Sequence, residues 1–106
     1  MKKTLYAFSL GCLLFSAPAW ASDQQIAIKN HIYTPASVTV TAGTKVTWTN
    51  NDADPHTVVE ENNKFHSGAL DTNDTYSETF TEPGTYKYFC TLHPNMTGSI
   101  TVTAAK

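Results

Sequence analysis

Short runs in which apolar and polar residues alternate, each closed by a turn signal, recur from Ile26 to Thr103 and commit the chain to strands. Ile26, Ile28 and Ile32 alternate with Ala27, Lys29 and His31, which predicts a first strand broken at Tyr33-Thr34-Pro35. Val38-Thr39-Val40-Thr41 is a second run and ends at Ala42-Gly43-Thr44. Lys45-Val46-Thr47-Trp48-Thr49 is a third, closed by Asn50-Asn51-Asp52. Further strands are expected from Thr57, over Tyr76–Phe80, over Tyr86–Cys90 after the turn at Glu82-Pro83-Gly84, and over Ser99–Thr103. The β-branched Val and Thr of these runs suit a pleated, half-buried surface, and Val46 and Trp48 share a face that belongs in the core. Glu60 to Lys64 is expected as a solvated loop, and Gly68 makes the stretch from Phe65 to Leu70 irregular. No helical period lasts longer than a turn. About seven short strands at regular turn spacing predict an all-β, antiparallel Greek-key sandwich or barrel.

One stretch carries chemistry as well as structure. Cys90, His93 and Met96 place a thiolate, an imidazole and a thioether at a spacing of three, and Pro94 prevents the segment from continuing as a regular helix. His56, at the mouth of the strand beginning at Thr57, is the best candidate for a fourth donor. Two His, one Cys and one weak thioether are the ligand set of a type-1 copper site. Taken singly, Cys90 reads as a small buried hydrophobe, Met96 as a gap filler and His93 as a turn residue. Their clustering is what favours metal. Structural zinc prefers four strong donors, and a thioether is a poor one, although two His and a thiolate also bind zinc. Haem attachment through C-x-x-C-H is excluded by the cysteine count after Cys12. His31 and His66 belong to no donor cluster and are expected at the surface.

Residues 1–21 have the order of an export signal, with a basic start at Lys2-Lys3, an apolar stretch from Leu5 to Phe15, and small residues at Ala19 and Ala21. Cleavage after Ala21 leaves 22–106 as one small domain with a marginal core. Without Lys2 and Lys3 there remain five lysines, no arginine, and nine acidic residues. That balance argues against nucleic acid as a partner and mildly favours a basic one. Cys12 leaves with the signal, so Cys90 has no disulfide partner, and bound metal would supply missing stability.

From Tyr33 to Val102 the sequence resembles the cupredoxins of the plastocyanin, pseudoazurin and amicyanin group. The resemblance rests on Val46-Thr47-Trp48-Thr49-Asn50, Pro55-His56, Phe80-Thr81-Glu82-Pro83-Gly84-Thr85-Tyr86 and Cys90-Thr91-Leu92-His93-Pro94-Asn95-Met96 running into Gly98-Ser99-Ile100-Thr101-Val102. The short C-x-x-H-x-x-M loop is most similar to that of the amicyanins. The resemblance implies a periplasmic carrier that shuttles one electron between a redox donor and an acceptor. It also implies one copper ion held by His56, Cys90, His93 and Met96; four protein donors with no open position argue against catalysis, and a monomer is expected. The rival class is a copper-binding or copper-delivery protein without electron transfer. Many relatives have Asn after the first His; here Thr57 stands there, and its hydroxyl is expected to reach the backbone near Thr91 with fewer hydrogen bonds.

Overall fold

The alternating runs become eight strands in a computed structural model that describes residues 23–105. The expected signal segment, 1–21, lies outside those residues. In chain order the strands are β1 (Gln24–Lys29), β2 (Ile32–Thr34), β3 (Ser37–Thr41), β4 (Thr44–Asn50), β5 (Val59–Glu60), β6 (Thr75–Phe80), β7 (Gly84–Cys90) and β8 (His93–Thr103). They form two four-stranded sheets, ordered β2-β1-β4-β6 and β3-β8-β7-β5. The all-β sandwich is as expected, and most neighbouring strands pair antiparallel. Each sheet also contains one parallel pair, β1 with β4 and β3 with β8. Both join strands remote in sequence, brought together as the chain crosses between sheets, and local alternation does not encode that choice.

The inward faces close on Trp48, which is fully buried with Val46, as alternation along β4 requires. The Trp48 ring sits 5.6 Å from Tyr76 and 6.0 Å from Phe65, and Tyr88 meets it edge-on at 5.4 Å. Ile26, Ile28, Val58, Ile100 and Val102 complete the same core, each aliphatic side chain worth about 1.5–3 kcal/mol on full burial. Tyr88 lies across its neighbour in register, Gly98. A Cβ at Gly98 would stand 2.4 Å from the Tyr88 ring, so only glycine leaves room for it. This packing holds together β7 and β8, whose shared end carries the candidate site.

Two expectations change. The first run is not one strand: Asn30 and His31, at φ 54° and 59°, turn the chain from β1 back into β2. A two-residue loop with both residues left-handed is the hairpin turn that matches strand twist. The turn resets the alternation, so Tyr33 points inward while Ile32 is left 55% exposed. Glu60 is not solvated either. It is only 3% exposed, and its Oε1 accepts the backbone N–H groups of Asn62 and Lys64 at 2.7 and 3.0 Å.

Candidate metal centre

Cys90 and His93 face each other across the β7–β8 hairpin, joined by only Thr91 and Leu92. The register shifts between Phe89 and Cys90, an irregularity of the kind that re-aims a side chain at a strand end. Cys90 is fully buried and Met96, further along β8, nearly so, whereas His93 is partly exposed.

His56 comes from the connection between β4 and β5 and is fully buried. Its backbone exchanges hydrogen bonds with Leu70 at 3.1 and 2.8 Å. Asn50 braces the same connection: its Nδ2 donates to the carbonyls of Asp54 and Leu70, and its Oδ1 accepts the N–H of Asp52. The ring is oriented by Asp52, whose Oδ2 lies 2.8 Å from His56 Nε2. Asp52 also accepts the backbone N–H groups of His31 (2.9 Å) and Asn30 (2.8 Å). The His31 N–H does most to hold this carboxyl down at about 2, with Asn30 and His56 adding to it and burial opposing. An ionised Asp52 can only accept, so His56 donates from Nε2 and keeps the Nδ1 lone pair for a metal.

The donors converge. Cys90 Sγ stands 3.8 Å from His56 Nδ1 and 3.7 Å from His93 Nδ1. A thiolate and an imidazole nitrogen bound at about 2.3 and 2.0–2.1 Å to one trigonal ion would be separated by about 3.7–3.8 Å. The site therefore passes a geometric test for a single metal ion, and one thiolate, two imidazoles and a nearby buried thioether are a donor set suited to copper.

Thr57 links the two halves. Its backbone N–H points to Cys90 Sγ at 3.3 Å, and its hydroxyl accepts the Thr91 N–H. Tyr33, missed as a support by sequence reasoning, donates its hydroxyl to the Thr57 carbonyl at 2.6 Å from the buried side.

His66 is exposed and joins no group of candidate donors among the described residues, as expected. His31 is exposed, as expected, but it does join other candidate donors. Its ring centroid lies 4.2 Å from that of His93 and 5.0 Å from that of His56, and its Nε2 is 2.8 Å from Asp54 Oδ2. The misreading follows from the turn: as a strand residue His31 would have pointed away.

Sulfur and imidazole donors gathered from the β4–β5 connection and the β7–β8 hairpin of a two-sheet β-sandwich define a cupredoxin-type centre. The chain belongs to the cupredoxin family: residues 4–102 match the family model described as a cupredoxin-like domain. It is similar to amicyanin-alpha of Methylorubrum extorquens, 43% identical over 96 residues, covering 81% of this chain and 75% of that protein. It is also similar to the plastocyanin of Scenedesmus fuscus, 40% identical over 84 residues, covering 67% of this chain and 86% of that one. Among solved structures, a purple cupredoxin from Nitrosopumilus maritimus superposes with a TM-score of 0.70 at 37% identity, covering 76% of this chain and 99% of that chain.

Proposed function

We propose that this chain is a periplasmic, mononuclear blue-copper electron carrier, with one copper ion held by His56, Cys90, His93 and Met96. The observation that carries the reading is the placement of Cys90 Sγ at near-equal distances from the Nδ1 atoms of two histidines. Likeness to an amicyanin and a plastocyanin supports it. Residues 22–106 form one domain on this reading, and 1–21 are the export signal that takes it to the periplasm.

When bound, copper supplies a Cu(II)/Cu(I) couple worth one electron. The chain does the rest. Cys90 contributes a thiolate whose charge the Thr57 N–H helps to hold. His56 is held by Asp52 with Nε2 donating and Nδ1 turned toward Cys90. Met96 would supply a weak thioether donor that tunes the potential. Because the donors sit on a braced connection and a braced hairpin, a bound ion would change oxidation state with little movement of the chain. Four protein donors leave no position for a substrate, so the role is electron transfer rather than catalysis. His93, beside the 50%-exposed Leu92, is the edge presented to a redox donor or acceptor. Such contacts are transient and suit a monomeric carrier.

Voltammetry tests the reading. The protein should show one reversible one-electron couple that falls in Met96→Gln, where a harder oxygen favours Cu(II), and rises in Met96→Leu. Identical potentials in all three would remove Met96 from the ligand set.

A further inference from the structure

His31, Asp54 and His93 each offer one donor atom, and these atoms lie within 4.8 Å of one another at the outer edge of the centre. On a cation with bonds of about 2.0–2.2 Å, neighbouring donors sit about 3–4 Å apart, so small side-chain rotations close the gap. The side chains of His31 and Asp54 are 46% and 59% exposed, within reach of an ion in solution. Asp54 has no ion-pair partner but His31 among the described residues. His31 is held in place by its backbone: its left-handed conformation is pinned by Asp52, which also orients His56. His93 turns Nδ1 toward Cys90, so its other ring nitrogen is not engaged by that contact.

We propose that His31, Asp54 and His93 form an outer station that captures a divalent cation of borderline softness, copper(II) foremost, and passes it to the buried donors. This rests on the reading of His93 as a ligand of the inner centre. The transfer is a ligand exchange without redox change. His31, Asp54 and the other ring nitrogen of His93 release the ion while Cys90, His56 and His93 Nδ1 take it up. The Cys90 thiol gives its proton to solvent, and the His93 ring exchanges its N–H proton through water from Nδ1 to the vacated nitrogen. His93 is common to both sets, so the ion changes partners around one ring. The buried donors alone offer no such landing place, because Cys90 and His56 are fully enclosed.

The test is stopped-flow uptake of copper(II) by the apoprotein, with the growth of the visible band giving the rate and its final amplitude reporting the inner centre. The measurement is made in about 0.5 M potassium nitrate, where the screening length is about 4 Å and loss of one surface charge matters little. His31→Ala and Asp54→Asn should each slow uptake by about fivefold or more, the loss expected for a metal-holding contact. The double variant should be little slower than the slower single one, because both belong to one station. His66→Ala is the control and should match the wild type. Smaller slowing in both single variants, or equal slowing in the control, overturns the station. Faster uptake by His31→Ala would also overturn it, showing His31 to be a cover over His93. A wild-type protein that develops no band overturns the inner centre itself, which separates the two failures.

Discussion

The hydroxyl of Thr57 accepts the backbone N–H of Thr91 at 2.8 Å and lies 2.9 Å from the Thr91 hydroxyl, joining the segment that carries His56 to the hairpin that carries Cys90. Replacing it by Val keeps the shape and strands the Thr91 N–H in a partly buried position. Thr57→Val should cost the apoprotein about 1–3 kcal/mol, and Thr57→Ser should cost much less. Chemical denaturation of the three proteins measures this; equal midpoints would show that the link contributes nothing.

Asp52 accepts three N–H groups, two from the Asn30-His31 turn and one from His56. In Asp52→Asn the new amide nitrogen must face a donor, so at least one of these contacts fails. Copper affinity should fall about 10–100-fold, as expected when the group orienting a ligand imidazole is lost. Competition against a chelator of known strength decides it, and unchanged affinity would mean that packing alone orients His56.

Much of this site was legible in the sequence, and the unread part has a common cause. Alternation identified the inward faces of β4 and β7, and the spacing of Cys90, His93 and Met96 singled them out as candidate donors. Local patterns describe a residue by its neighbours in the chain. Asp52 looked like a turn residue because its partners Asn30 and His31 lie 22 and 21 positions away. Glu60 looked solvated because the groups it satisfies are backbone N–H donors, which leave no mark in composition. His31 looked like a strand residue because Ile32 continued an apparent alternation that two left-handed residues had already broken.

Three phenols are displaced upward from the ordinary value of 10.0, in each case mainly by burial: Tyr88 to about 12, and Tyr33 and Tyr76 further. The Glu78 hydrogen bond and charge add to the effect on Tyr76, and the charges of Cys90 and Tyr88 to that on Tyr33. A folded-state value above the unfolded one means that the fold favours the protonated phenol. The stability it contributes is therefore complete below about pH 10 and is lost as pH rises through about 12. Phenolate absorbance from these residues should appear together with loss of the far-ultraviolet β-sheet signal. Ionisation of all three near pH 10 with the sheet signal intact would contradict their burial.

The measurement closest to the central claim is the visible spectrum of the protein during titration with copper(II). An intense thiolate-to-copper charge-transfer band should grow to an end point at one ion per chain. It should be absent from Cys90→Ser, whose apoprotein retains the β-sheet signal. A wild-type copper(II) complex with no intense visible band would contradict the assignment of Cys90, His56 and His93 to a single type-1 centre.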